Sequence, residues 1–153
     1  IYRMQRSHSQ DLVIRTFCPL FLRYNYIMQD KLEGVVTRFK GNGRKFGYPT
    51  ANLTTKTDLK DGVYFGYADL KDFKDHPSLI FVGTPTTVGD TERRVEVHLL
   101  DIPDVDYYDE VLALRPRHFH RQNETFSGVD ELLEIMRNDE VRARAWFDNE
   151  RTA

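Results

Sequence analysis

Between Leu32 and Leu114 the chain is a succession of short apolar segments, and no link between them carries a helical pattern of crossover length. Five segments read as strands. They are Leu32 to Thr37 (LEGVVT), Gly62 to Leu70 (GVYFGYADL), Ser78 to Gly83 (SLIFVG), Arg93 to Leu100 (RRVEVHLL) and Tyr108 to Leu114 (YDEVLAL). In the second, Val63, Phe65 and Tyr67 share one face. The third is apolar almost throughout, as a strand buried on both faces would be. In the fourth, Val95, Val97 and Leu99 face one way and Arg94, Glu96 and His98 the other. Parallel strands need a crossover of a dozen or more residues, so the sheet is predicted to be antiparallel. Closing it into a barrel removes exposed edges.

One helix is predicted at the C-terminus. Ser127 is its candidate N-cap, and Val129, Leu132, Leu133 and Met136 fall at i, i+3, i+4 and i+7. The helix continues, or restarts after Asn138-Asp139, through Ala143 to Phe147, with Trp146 and Phe147 packing it onto the barrel. Leu12 to Phe17 and Leu20 to Ile27 are further candidate strands. Residues 1–31 are read as an unassigned extension or linker and residues 32–150 as one domain.

A chain of 153 residues suits a single domain with its own core. No apolar run approaches the roughly 20 residues that span a bilayer. Lys+Arg 22 against Asp+Glu 24 leaves a net charge of -2, which argues against a general nucleic-acid binder. Cys18 is the only cysteine, so no internal disulfide forms and a cytoplasmic address is favoured. No signal-peptide pattern is seen, and the start at Ile1 is read as processing, as trimming for expression or as a cut from a longer chain.

The chemistry concentrates in Lys40 to Leu53, KGNGRKFGYPTANL. Gly41, Gly43 and Gly47 flank Arg44 and Lys45, a composition that serves either an ordinary turn or a backbone cradle for phosphates. No Gly-Lys-Ser/Thr follows, and Pro49 stops any helix, so this is neither a Walker loop nor a dinucleotide-binding fingerprint. Pro49 biases Tyr48 towards extended backbone. If Thr50 and Asn52 are extended too, their oxygens point to one side. They then either bond nearby backbone, as turn residues do, or serve as hard ligands for Mg²⁺.

Glu96, mid-strand beside Arg94 and His98, is either a solvated carboxylate or a general base. His118 and His120 lack a third ligand at metal-site spacing and are read as structural. Tyr24, Tyr26, Tyr107 and Tyr108 read as half-buried aromatics. Asp101, Asp104, Asp106 and Asp109 lack the glycine of a calcium loop.

Taken together these blocks resemble the riboflavin kinase family. Gly43 to Leu53 (GRKFGYPTANL) is similar to the family's G-R-x-L-G-F-P-T-A-N-L, and Gly62-Val63-Tyr64 to its G-V-Y. Val95 to Asp101 (VEVHLLD) is similar to V-E-x-H-L-L-D, Phe119 to Phe126 to its F-hydrophobic-R…K-F segment, and Asp130-Glu131-Leu132 with Asp139 to the helix that follows. The blocks keep the family's order and spacing over residues 32 to 147.

The resemblance implies a mainly β fold: a six-stranded antiparallel Greek-key barrel closed by a C-terminal helix. It implies that ATP, Mg²⁺ and riboflavin are bound and FMN is made. Thr50 and Asn52 are then the Mg²⁺–ATP ligands, and Gly43, Arg44, Lys45 and Gly47 cover the phosphates. Glu96 is the general base, and Arg121 and Phe126 belong to a mobile loop over the flavin. The chain departs from the pattern at Asn42, where a basic residue is usual, and at Pro85, displaced by one position. His120, Asn123 and Thr125 also differ, all in the flavin-covering loop.

No H-x-G-H motif is present in these residues, so an FMN adenylyltransferase step, common in a preceding module of bacterial relatives, is not encoded in them. A flavin-binding module with impaired catalysis is the alternative function. A nucleic-acid-binding barrel is disfavoured, because no strand interleaves aromatic with basic residues.

Overall fold

The computed structural model describes residues 31–38 and 42–153, with the side chain of Asn42 left aside. The candidate strands at Leu12 to Phe17 and Leu20 to Ile27, with Cys18, Tyr24 and Tyr26, lie outside those residues. Six strands are present: β1 (Leu32–Thr37), β2 (Ala51–Thr54), β3 (Gly62–Leu70), β4 (Phe73–Gly83), β5 (Arg94–Leu99) and β6 (Val111–Arg121). They close into a barrel in the order β1-β2-β5-β4-β3-β6, every pairing antiparallel. After the β3-β4-β5 meander, β6 returns to lie beside β3, which is the Greek-key arrangement. A single helical turn α1 (Asn42–Lys45) precedes β2, a 3₁₀ turn (Thr86–Val88) precedes β5, and helix α2 (Val129–Thr152) follows the barrel.

The barrel interior is filled from alternate positions of each strand. Val95, Val97 and Leu99 of β5 point inward and are buried with Tyr64, Ala68 and Leu70 of β3, as the period of two requires. Val63, Phe65 and Tyr67 do share a face, and it is the outer one. Val63 lines a surface cavity there. Phe65 lies under α2 with Leu100, Ala143 and Phe147, and Tyr67 meets the Phe147 ring edge-on at 5.3 Å. Phe147 is 2% exposed, a burial that contributes about 1.5–3 kcal/mol to holding the helix on the barrel. Trp146 packs beside it as expected.

Several elements differ from the sequence expectation. β2 is a full barrel strand although its four residues are too few to display an alternation. β4 begins at Phe73, five residues before the apolar run. β6 starts at Val111, not Tyr108, and continues to Arg121. Pro116 and the interleaved Arg and His residues mask its second half. Pro116 is accommodated because the β3–β6 register shifts between Phe65 and Gly66, and a Cβ at Gly66 would stand 2.4 Å from the Arg115 carbonyl oxygen. Finally, α2 is unbroken through Asn138-Asp139, and its N-cap is Gly128, not Ser127. Ser127 instead gives its N–H and its hydroxyl to the Glu131 carboxylate at 2.8 and 2.7 Å. Among the described residues, no helix is long and apolar enough to cross a membrane.

Candidate active site

The β2–β5 ladder sets Asn52 opposite Glu96, between the pairs Ala51–Val97 and Leu53–Val95. Leu53 and Val95 are core residues, so Asn52 and Glu96 project from the outer face. Thr50, two residues before Asn52, lies on the same side and donates its hydroxyl to Glu96 Oε2 at 3.3 Å. Arg94 Nε donates to Glu96 Oε1 at 2.6 Å, and Arg94 Nη2 donates to the Asp90 carboxylate. Asn52 Oδ1 is buried and has no hydrogen-bond partner among the described residues. His98 Nδ1 lies 2.9 Å from the Pro49 carbonyl oxygen, so this nitrogen carries the proton and ties β5 to the segment leading into β2.

The glycine-rich turn is wound tightly against this patch. The Gly43 carbonyl accepts the N–H groups of Phe46 and Tyr48 at 3.0 and 2.8 Å. A Cβ at Gly43 would stand 2.3 Å from the Tyr48 carbonyl oxygen and 3.1 Å from Thr50 Oγ1, so only glycine allows this approach. Gly47 has φ 80°, the left-handed region that also favours glycine.

Arg44 turns the other way. Its guanidinium bonds Asp104 and Asp106, each at 2.8 Å, and those two bonds raise its pKa above the ordinary value. It lines a separate hollow of about 70 Å³ beside Pro103 and Tyr107. Lys45 is exposed. Thus Gly43, Thr50, Asn52, Glu96, Arg121 and Phe126 line one cavity, while Arg44, Lys45 and Gly47 lie outside its wall.

That cavity encloses about 430 Å³. Its polar end is the Thr50–Asn52–Glu96 patch, and its apolar walls include Val63 and Phe81 from the barrel and Leu132 and Met136 from α2. Tyr48 also faces it; burial first, and the Glu140 charge second, push its phenol pKa up. Asp139, also in the lining, is 5% exposed and receives Arg121 in a bidentate pair, with Nη2 2.7 Å from Oδ2 and Nε 3.0 Å from Oδ1. His120 Nε2 lies 2.9 Å from the same Asp139 Oδ1. The Arg121 guanidinium stands 5.9 Å from the Phe126 ring centre.

The loop between β6 and α2 is fastened to the 3₁₀ turn. Phe126 N–H donates to Thr87 Oγ1 at 3.1 Å, and the Thr86 and Thr125 hydroxyls are 2.9 Å apart. Asn123 Nδ2 donates to the Val82 carbonyl at 2.8 Å. His118 stacks on Phe65 and Trp146, and its burial pushes the imidazole pKa down.

Three participants were not legible as site residues. Asp90 and Asp139 pair with arginines on other elements, and local spacing carries no signal for such partners. The α2 wall was visible as an apolar stripe, but not what the stripe covers.

Comparison with known proteins places the chain in a family. The flavokinase model, described as riboflavin kinase, matches residues 27–147. The bifunctional riboflavin kinase/FMN adenylyltransferase of Escherichia coli K12 is 33% identical over 118 residues, covering 76% of this chain and 37% of that protein. The chain spans only 18% to 37% of the length of the first bacterial relatives it matches. A crystal structure solved as a macrolide-efflux protein from Streptococcus pneumoniae is 31% identical, with a TM-score of 0.65 over 76% of this chain and 38% of that one. The riboflavin kinase structure from Trypanosoma brucei, at 20% identity and a TM-score of 0.58 over 77% of this chain and 76% of that one, shares the fold. By the family match over residues 27–147, carried on this closed six-stranded barrel, the chain belongs to the riboflavin kinase family.

Proposed function

We propose that this domain transfers the γ-phosphate of ATP to the 5′-hydroxyl of riboflavin, forming FMN and ADP. The observation that carries the reading is the Glu96 carboxylate at the polar end of a 430 Å³ cavity, 3.3 Å from the Thr50 hydroxyl and directly opposite Asn52. The apolar walls suit a flat ring system, and the polar end suits a chain of hydroxyls beside a polyphosphate.

A divalent cation fits the same patch. Among the described residues Asn52 Oδ1 is a buried acceptor without a partner, and Thr50 Oγ1 is a second hard oxygen on the same side. Mg²⁺ held by these two residues would neutralise charge on the phosphates. Glu96 accepts the proton of the attacking hydroxyl, the new bond forms from that oxygen to the γ-phosphorus, and the bond to the β–γ bridging oxygen breaks as ADP leaves. The Gly43–Tyr48 turn lies beside Thr50, close enough to border the phosphates. Arg121 and Phe126, held by Asp139 and Thr87, form the wall over the flavin.

The test is incubation of the purified chain with riboflavin, ATP and Mg²⁺, with products separated by chromatography. Mg²⁺-dependent FMN supports the reading. Riboflavin binding without FMN would leave a flavin-binding module.

A further inference from the structure

We propose that Arg94 is a positioning residue for Glu96, braced from behind by Asp90, and that it assigns the proton-accepting role to Glu96 Oε2. This rests on the kinase reading and adds to it a named oxygen and two supporting residues.

A glutamate side chain has three rotatable bonds, and a base must be held close to one geometry to act. Here one carboxylate oxygen is fixed. Arg94 Nε donates to Oε1 at 2.6 Å, a short charge-assisted bond, while Oε2 faces Thr50 and the cavity. Arg94 cannot swing away, because its Nη2 is engaged by the Asp90 carboxylate. The side chains are 10% exposed for Arg94, 4% for Asp90 and 20% for Glu96, so the charges sit where solvent screens them little.

Asp90 is itself built into place. Gly89, at φ 76°, turns the chain after Thr86–Val88, and the Asp90 N–H donates to the Pro85 carbonyl at 3.3 Å. Thr86 and Thr87 of this turn also hold Thr125 and Phe126. One turn therefore braces both the arginine behind the base and the loop that walls the cavity.

Arg94→Met alone would remove an ion-pair partner of the buried Asp90 carboxylate and so disturb folding as well as the base. The test variant is therefore the neutral pair Arg94→Met/Asp90→Asn, compared with Arg94→Lys, Glu96→Gln and the wild type. Steady-state kcat is expressed per riboflavin-binding site, counted by flavin fluorescence quenching, so misfolded protein drops out.

The expected result is a kcat lower by roughly 10- to 100-fold in the neutral pair, with KM for riboflavin and Mg·ATP within about twofold of wild type. Arg94→Lys should recover part of the loss. An unchanged kcat in the neutral pair, or a raised KM at constant kcat, would overturn the positioning role; the second outcome would make Arg94 a substrate contact. These failures are separable from failure of the kinase reading, which would show as no FMN from the wild type.

Discussion

Asn52 and Glu96 are direct cross-strand partners in the β2–β5 ladder, and both project from the outer face of the barrel. A four-residue strand thus places a neutral amide oxygen beside a carboxylate without any loop between them. Residues paired this way hold their separation as rigidly as the sheet does. On the proposed reading, the cation ligands and the base form one patch whose geometry is set by strand register.

Glu96→Gln keeps the shape and the hydrogen bond from Arg94 but removes the proton acceptor. Turnover should fall by roughly 100- to 10,000-fold, while riboflavin binding, followed by fluorescence quenching, stays near wild type. Turnover near wild type would remove Glu96 from the chemistry.

Asn52→Leu separates function from stability. Asn52 Oδ1 is buried without a partner among the described residues, and an unsatisfied buried acceptor carries a penalty of about 1–3 kcal/mol. An apolar residue of similar size should therefore leave the thermal midpoint of the metal-free protein unchanged or raised. The same variant should lose Mg²⁺-dependent FMN formation and the upward shift of that midpoint by Mg·ATP. A lowered metal-free midpoint would show that the amide has a structural partner after all.

How far the sequence discloses this site depends on the range of each interaction. The β5 alternation was readable because one face is core: Val95, Val97 and Leu99 must all point inward once Glu96 points out. That Thr50 and Asn52 share a side followed from their two-residue spacing only on the condition of extended backbone, since Pro49 biases Tyr48 alone. Arg44 was not readable. Its family position implied phosphate contact, yet its side chain is drawn to Asp104 and Asp106, about sixty residues further along. Such a competition between two possible partners is settled only by the fold. The same holds for Asp139, whose neighbour Asn138 reads as a helix break until Arg121 and His120 are placed against it.

Gly43→Ala should act through Thr50. The added methyl would stand 2.3 Å from the Tyr48 carbonyl oxygen, so the turn must shift, and Thr50 Oγ1, 3.1 Å away, shifts with it. Overpacking of this kind costs about 1–3 kcal/mol. The expected kinetic signature is a KM for Mg·ATP raised several-fold with the riboflavin affinity held. An unchanged KM would mean that the turn does not border the nucleotide.

Asp139→Ala should be among the most destabilising single changes on α2. It would remove the acceptor shared by Arg121 and His120, leaving a partly buried guanidinium unpaired, at roughly 3 kcal/mol by comparison with other buried pairs. Urea denaturation should show the loss, and Asp139→Asn, which keeps an acceptor, should show less. Because Arg121 and Phe126 share the cavity wall, riboflavin affinity should weaken in the alanine variant as well. Equal stability of the alanine and wild-type proteins would place the anchoring of this loop elsewhere.

Acid should lower the stability of the domain over two successive pH ranges. Arg115, bonded to both oxygens of Asp69 at 2.8 Å, and the Asp75 backbone N–H hold the Asp69 carboxyl well below the usual range. The unfolded chain then takes up a proton that the folded chain refuses, so this contribution is present at neutral pH and is lost as pH falls below about 4. His118 acts earlier by the same sign. Its burial lowers the imidazole pKa, so protonation favours the unfolded chain once pH drops below about 6.5. Urea midpoints measured from pH 7 down to pH 3 should therefore decline gently at first and more steeply below about 4. Asp69→Asn should flatten the lower part of that curve and His118→Gln the upper part. A lower limb left intact by Asp69→Asn would show that other carboxylates carry the acid sensitivity.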